Sequence, residues 1–344
     1  MKPFEAKRTE EWALPIDGAS ALRVRTADSA IRVVGAPVEQ IQIVAAKRAR
    51  AATDAEAQAF LDQIRVDRRR DGDYWIVEAA WPEPRAHQVE SVSVSFDIQV
   101  PTGFNLEARS SNGAIEASGV GEARLRTSNG RITAREIQRH LEAESSNGAI
   151  HADGCGGPVH LKTANGRIEV REAAGEAKLF TSNGAIHAEA CAGPVEAKTE
   201  NARIEVRQAG GLIKTHTSNG AIQIDGCPGP VEARTSCGSI AILQAGNPVQ
   251  ALTSEGRIEV ELAPGQTAVE AELVTRNSGI DLRLPEGVSA RLSAETSNGR
   301  IRMEPSFNGQ GSAGPTHLQT VLGSGEGSIR LRTSNGPIQI RVAG

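Results

Sequence analysis

The chain has 344 residues, a formal net charge of −4 and only 3% aromatic residues. Basic and acidic residues are interspersed, which excludes the large basic surface typical of a nucleic-acid-binding protein. No apolar run is long enough to span a bilayer, and the first residues lack the apolar stretch of a signal peptide. The sequence therefore predicts a cytoplasmic protein without a transmembrane segment.

Residues 1–104 are predicted to form N-terminal strands, a degenerate first coil and a capping insertion. The degenerate coil is Val24–Val34, where Asp28 stands at the turn. In the insertion, Thr53 and Glu56 have the spacing of a capping box, which predicts one helix at about residues 53–64. The following segment, Arg65–Ala80, is predicted to be a β-hairpin about the turn Asp71-Gly72.

Residues 105–261 form a nearly perfect repeat. Ser/Thr-Ser-Asn-Gly, followed two residues later by Ile, returns about every 18 residues, which predicts stacked β-coils. Asn-Gly is a turn signal, because both residues tolerate positive φ. The asparagines form a predicted structural turn column: Asn112, Asn129, Asn147, Asn165, Asn183, Asn201 and Asn219. The isoleucines form a predicted core column: Ile115, Ile132, Ile150, Ile168, Ile186, Ile204, Ile222, Ile240 and Ile258.

The length of one coil has two interpretations. Similarity is stronger at about 36 residues than at about 18, so a coil of either length fits the repeat. Charge favours the shorter coil, because only then do opposite charges lie on neighbouring strands. The residues concerned are Arg135, Asp153, Arg171, Glu189, Arg207 and Asp225. We therefore predict an all-β, single-stranded parallel β-solenoid (β-helix) with about 18 residues per coil.

Residues 262–344 are predicted to continue the solenoid as irregular coils, with an exposed loop at Gly309–Pro315. The coil at residues 333–340 has no following segment that could cover it. Open sheet edges expose unpaired backbone groups. We therefore expect self-association through this C-terminal coil.

The order of these segments resembles the bacterial DUF4097 family of adhesin-like β-strand-repeat proteins. The residues that carry the resemblance are Ser95–Pro101, which reads SFDIQVP, and the repeats Arg109–Ile115 and Arg126–Ile132. The resemblance covers nearly the whole chain. It implies a β-helical rod, and it makes association with the cell envelope the alternative to a cytoplasmic location. It supplies no catalytic residue.

No catalytic, cofactor-binding or metal-binding residues are predicted. His151 and Cys155 are four residues apart, which is about 13 Å along an extended strand and too far to chelate one ion. Acidic residues are dispersed rather than clustered, and no nucleophile or phosphate-binding motif is present. The sequence thus favours a protein that is not an enzyme and has no cofactor.

One column of basic residues is a candidate interaction site. Arginine alternates with alanine at the position two residues after the turn asparagine, and the small neighbours leave room for each guanidinium. A solvated face is the simpler interpretation, and a site for an anionic partner is the other. The candidate residues are Arg131, Arg167, Arg203 and Arg257.

Three functions remain open. The leading hypothesis is a non-enzymatic structural or interaction protein, a rigid rod of adhesin-like or scaffold type. The first alternative is a binding module for an extended anionic polymer, and the second is a polysaccharide-active β-helix enzyme. The expected partners are a second copy of the chain, an envelope protein or an anionic polymer, and not nucleic acid.

Overall fold

The computed structural model describes residues 4–82, 89–305 and 311–343. The chain divides into two compact units, Met1–Gly166 and Arg167–Gly344. Both are built almost entirely of β-strands that lie in long parallel sheets, as the all-β prediction requires. The sequence also predicts a division into three segments, and that division remains a prediction. The segments are residues 1–104, 105–261 and 262–344.

The first unit contains fourteen strands and one helix in its described residues. In chain order they are β1 (Phe4–Pro15), β2 (Ala21–Thr26), β3 (Ile31–Ala36), β4 (Gln40–Ala51), α1 (Asp54–Leu61), β5 (Arg65–Asp71), β6 (Tyr74–Ala80), β7 (Val89–Pro101), β8 (Asn105–Ser110), β9 (Ile115–Ser118), β10 (Glu122–Thr127), β11 (Ile132–Arg135), β12 (His140–Ser145), β13 (Ile150–Cys155) and β14 (Val159–Thr163).

These strands form two sheets. The first has the order β1-β4-β7-β3-β9-β11-β13. The second has the order β5-β6-β2-β8-β10-β12-β14. The pairs β1–β4, β4–β7 and β5–β6 are antiparallel, and all others are parallel. The antiparallel strands therefore extend both sheets beyond the degenerate first coil, which is formed by β2 and β3.

The helix begins where the sequence predicts. Thr53 is its N-cap, and the reciprocal hydrogen bonds of a capping box join Thr53 and Glu56. The helix ends at Leu61 rather than near Ile64, and residues 62–63 form a turn. Ile64 is nevertheless buried. Strands β5 and β6, on the two sides of Asp71-Gly72, pair antiparallel.

The second unit contains nineteen strands in its described residues. They are β15 (Ile168–Ala173), β16 (Ala177–Phe180), β17 (Ile186–Glu189), β18 (Val195–Lys198), β19 (Ile204–Arg207), β20 (Ile213–His216), β21 (Ile222–Asp225), β22 (Val231–Arg234), β23 (Ile240–Ala245), β24 (Val249–Leu252), β25 (Ile258–Leu262), β26 (Glu270–Val274), β27 (Ile280–Leu284), β28 (Ala290–Thr296), β29 (Ile301–Glu304), β30 (Gly311–Ala313), β31 (His317–Leu322), β32 (Gly327–Thr333) and β33 (Ile338–Val342).

These strands also form two sheets. The first has the order β15-β17-β19-β21-β23-β25-β27-β33-β29 and is parallel throughout. The second has the order β16-β18-β20-β22-β24-β26-β32-β28-β31-β30. Only its last two pairs, β28–β31 and β31–β30, are antiparallel. Part of the predicted loop, residues 309–310, lies outside the described residues.

The core of each unit is a stack of aliphatic side chains. Ile115 pairs with Ile132, and Ile132 pairs with Ile150. In the second unit Ile186 pairs with Ile168 on one side and with Ile204 on the other, rather than with a residue 36 positions away. All nine isoleucines of the predicted core column are at most 1% exposed. Alanines such as Ala188 and Ala197 occupy other inward positions, which fits a narrow interior.

The structure corrects the expectation about the C-terminal coil. The sequence predicted that residues 333–340 form an uncovered end, and this prediction is wrong. Strand β33 pairs with β27 on one side and with β29 on the other, and both Ile338 and Ile340 are fully buried. The reason is strand order: β28 and β29 come before the last coil in the chain but lie beyond it in the two sheets. The C-terminal coil therefore has no free edge for self-association.

Candidate functional site at the Asn-Gly edge

The threonine or serine that begins each repeat motif is used inside the turn. Thr217 is fully buried; its hydroxyl accepts a 3.1 Å hydrogen bond from the Gly220 amide and donates one of 3.1 Å to the carbonyl oxygen of Ala202. Thr235 repeats this arrangement with Gly238 and Gly220. The hydroxyl thus ties each turn to the preceding one, which explains why a polar residue is buried there.

The asparagines form amide ladders on the exposed edge of each unit. In the first unit Asn129 donates to Asn112, Asn147 to Asn129 and Asn165 to Asn147, over 2.6–2.7 Å. Asn112 in turn donates to Asp28, so in the degenerate coil Asp28 takes the place of a ladder asparagine as acceptor. In the second unit the donor–acceptor pairs are Asn201–Asn183, Asn219–Asn201, Asn277–Glu255, Asn335–Asn277 and Asn298–Asn335.

Two positions break the second ladder. Cys237 and Glu255 stand where the motif has asparagine, and Cys237 is exposed. Glu255 accepts a 2.8 Å hydrogen bond from Asn277 but has no amide donor of its own. The three other cysteines, Cys155, Cys191 and Cys227, are buried. Burial raises the pKa of the Cys191 and Cys227 thiols, which disfavours the reactive thiolate.

The candidate arginines lie beside these ladders, and backbone hydrogen bonds give their order. Arg131 lies between Ala114 and Ala149, since the carbonyl of Arg131 accepts from Ile115 and that of Ala149 accepts from Ile132. In the second unit the same reasoning gives the row Arg167, Ala185, Arg203, Ala221, Ser239, Arg257, Gly279, Pro337 and Arg300. All five arginines are exposed, so each guanidinium reaches solvent.

The arginines differ in their partners. Arg203 donates to the side-chain oxygen of Gln223 and lies 3.8 Å from Glu205. Arg257 donates a 2.7 Å hydrogen bond from Nε to the buried carboxylate of Asp281. Within the described residues, Arg131 and Arg167 have no ion pair. The predicted column is therefore a mixture of paired and unpaired cations.

The C-terminal end of the row forms a basic depression that sequence reasoning missed. Gly279 and Pro337 separate Arg257 from Arg300. They form the floor of the depression, because glycine has no side chain and proline projects less far than arginine. Arg302, which is in register with Gln339, adds a third guanidinium to the lining. Asp281 is the only acidic residue that lines it among the described residues. We call Arg257, Arg300 and Arg302 the basic depression.

The outer faces of the sheets carry alternating charges rather than a cluster of acids. Arg171 pairs in register with Glu189, and Glu189 pairs with Arg207. Arg207 pairs with Asp225, and Arg135 of the first unit with Asp153. Opposite charges on neighbouring strands stabilise a sheet by roughly 0.2–1 kcal/mol per pair. These acids therefore have structural partners.

The carboxyl groups with shifted pKa values also have basic partners. Burial alone would raise the pKa of the Glu107 carboxyl, but the hydrogen bond from Arg23 and the charges of Arg23 and Arg109 outweigh it and lower the pKa. The pKa of Glu5 is lowered first by its hydrogen bond to Lys7, with Arg50 and Arg48 adding to the effect. A general acid needs the opposite shift.

Neither a metal site nor a membrane-spanning helix is found in the part of the chain that the structure describes. No three histidine, cysteine or carboxylate side chains there come close enough to hold a metal ion. The single helix in the described ranges has eight residues, and none is long and apolar enough to span a bilayer. His151 and Cys155, which sequence analysis considered and rejected as ligands, lie on one strand, β13.

Comparisons with known proteins support the family resemblance. The family model described as Toastrack DUF4097 matches residues 19–341. No curated protein matches the chain. Similar solved structures include a "putative cell adhesion protein" from Clostridium sporogenes ATCC 15579, 10% identical with a TM-score of 0.22, covering 98% of this chain and 100% of that one. A "putative adhesin" from Parabacteroides distasonis ATCC 8503 is 8% identical, with a TM-score of 0.28 and 97% of each chain covered.

Proposed function

This chain belongs to the Toastrack DUF4097 family, and we propose that it is a non-enzymatic interaction protein, a β-helical rod with about 18 residues per coil. Hydrogen bonds join successive turns of its repeated edge, which presents one set of side chains per coil. Neighbouring parallel strands are about 4.8 Å apart, so successive arginines of the row, which are two or three strands apart, lie about 10–15 Å from each other. Such an edge suits an extended partner better than a small substrate.

One observation carries this proposal. The repeated polar side chains bond to each other and to the backbone, while the arginine beside them projects into solvent. The amide of Asn219 bonds to Asn201, the hydroxyl of Thr217 bonds to the turn, and Arg203 remains exposed. The constant spacing of the repeat thus maintains the scaffold, and the position next to it, which differs from coil to coil, is left for contact with a partner.

A polysaccharide-active enzyme has less support. Glycoside hydrolysis needs two carboxyl groups that face each other across the substrate, one of them with a raised pKa. The carboxylates on the sheet faces, such as Glu189 and Glu205, instead accompany Arg171 and Arg207. The carboxyl pKa values that are shifted, those of Glu5 and Glu107, are lowered.

The basic depression favours a more specific function for this interaction protein, the binding of an extended anionic polymer. Arg257, Arg300 and Arg302 line the depression together with Gly279, Pro337 and one buried carboxylate, that of Asp281. Two formal positive charges therefore remain in excess. Planar guanidinium groups bind carboxylate or sulfate oxygens with paired hydrogen bonds.

One experiment separates these functions. The chain is incubated with a fluorescein-labelled heparin fragment and with a panel of neutral and acidic polysaccharides. We expect salt-dependent binding of the labelled fragment, measured by fluorescence anisotropy, and no new reducing ends in any sample. New reducing ends that scale with protein concentration would overturn the proposal, as would a complete lack of binding at low salt.

A further inference from the structure

Strand β1 is the longest strand that pairs on one side only among the described strands. All twelve residues from Phe4 to Pro15 pair with β4, and no other described strand pairs with β1. Its outer face is open: Lys7, Thr9 and Glu11 are exposed. An edge of this length presents a row of backbone groups to which another strand can bond.

The sequence of β1 is self-complementary about Thr9. Counting outward from Thr9, each residue on one side has a matching residue on the other. The pairs are Arg8 with Glu10, Lys7 with Glu11, Ala6 with Trp12, Glu5 with Ala13, and Phe4 with Leu14. The first two pairs bring opposite charges together. The pair Ala6 with Trp12 joins a small residue to a large one, and the pair Phe4 with Leu14 joins two apolar residues. Cross-strand pairs of these kinds are the ones that stabilise antiparallel sheets.

We propose that β1 pairs with β1 of a second copy of this chain, antiparallel, with a twofold axis through Thr9. Such a contact uses the same surface on both copies and closes on itself, as cyclic dimers do. A parallel, in-register pairing would instead place lysine on lysine and glutamate on glutamate. The charges therefore select the antiparallel arrangement.

The two faces of β1 support this contact differently. On the face towards α1, Arg8 donates to Asp62 over 2.7 Å and Glu10 accepts from the buried Lys47 over 2.6 Å. On the same face the guanidinium of Arg68 lies 4.2 Å from the ring centre of Trp12. These side chains are held in place before a partner arrives, which reduces the entropy lost on binding.

The outer face supplies the charges that can be tested. Lys7 is exposed and pairs with Glu5 over 2.7 Å, and no ion pair joins Glu11 to a described residue. In the twofold pair Lys7 lies opposite Glu11 of the other copy, and this contact occurs twice. The dimer is independent of the basic depression, so it stands whether or not the chain binds an anionic polymer.

A charge-swap experiment tests the proposal by sedimentation velocity over a concentration series. We expect the unaltered chain to dimerise, and Lys7→Glu and Glu11→Lys each to weaken the dimer at least about tenfold, since each places like charges opposite one another. An equimolar mixture of the two variants restores every opposite-charge pair and should dimerise again. Lys198→Glu, a charge reversal at an exposed position of the second unit, serves as the control.

Crosslinking tests the position of the axis. In a Cys237→Ser background, Thr9→Cys places two thiols opposite each other across the twofold axis, within reach of a disulfide. Ala13→Cys, exposed on the same face, places each thiol opposite Glu5 instead. We expect mild oxidation to crosslink the first variant and not the second. A strictly monomeric chain, a dimer unaffected by Lys7→Glu, or equal crosslinking of both variants would overturn the proposal.

Discussion

The side-chain amide of Asn201 donates a 2.7 Å hydrogen bond to the side-chain oxygen of Asn183, its counterpart 18 residues earlier. Asn219 makes the same bond to Asn201 over 2.8 Å. Asn201 is therefore both donor and acceptor, and each further asparagine adds one bond to the ladder. It stops at Cys237, whose thiol is only a weak donor and a weak acceptor.

Completing the ladder should stabilise the protein. In the double variant Cys237→Asn/Glu255→Asn, residue 237 can donate to Asn219 and accept from residue 255, which still accepts from Asn277. We expect the free energy of unfolding to rise by about 1 kcal/mol, since the new bonds are exposed. Chemical denaturation measures the change. The control Cys237→Ser removes the thiol without adding an amide, and an equal gain in both variants would show that the ladder is not responsible.

A charge in the isoleucine column should be far more damaging than the same charge on the surface. Ile186 is 1% exposed between Ile168 and Ile204, so Ile186→Asp buries a carboxylate without a partner. We expect a loss of about 4 kcal/mol or more. Lys198→Asp introduces the same side chain at an exposed position and should cost less than about 1 kcal/mol. Similar shifts in melting temperature would mean that the assigned inward face is wrong.

Acid should weaken the contact between Arg23 and Glu107. The pKa of Glu107 is lower in the folded chain than its ordinary value of 4.5, so the ionised carboxylate stabilises the fold above that pH. This contribution is lost as the pH falls through the lowered folded-state pKa. We therefore expect Glu107→Gln to cost most stability near neutral pH, and the difference from the unaltered chain to shrink below about pH 4.5. A difference that is constant from pH 7 to pH 3 would contradict this reasoning.

The repeat allowed much of the fold to be predicted, because the motif fixes what each residue must do. A turn residue such as Asn201 and an inward residue such as Ile204 recur at constant spacing, and residues at that spacing pair in the structure. The capping box at Thr53 and Glu56 could be read locally, since its hydrogen bonds join residues three apart.

Strand order near the C-terminus could not be predicted in this way. Ile280 pairs with Ile338, 58 residues later, and only then does Ile338 pair with Ile301. Periodicity reports spacing along the chain, and it does not indicate that a later segment inserts between two earlier ones. For the same reason the basic depression was missed: Arg257 and Arg300 are far apart in sequence and are separated in space by Gly279 and Pro337.

The most direct test of the proposed polymer binding at the basic depression compares two triple variants for binding of the labelled heparin fragment. Arg257→Gln/Arg300→Gln/Arg302→Gln alters the basic depression, and glutamine at position 257 can still donate to Asp281. Arg234→Gln/Arg291→Gln/Arg330→Gln removes the same charge from exposed positions of the other sheet. At low salt we predict that the first variant binds at least about tenfold more weakly than the unaltered chain, and that the second stays within about twofold. Equal losses for both variants, or no loss for the first, would contradict the account.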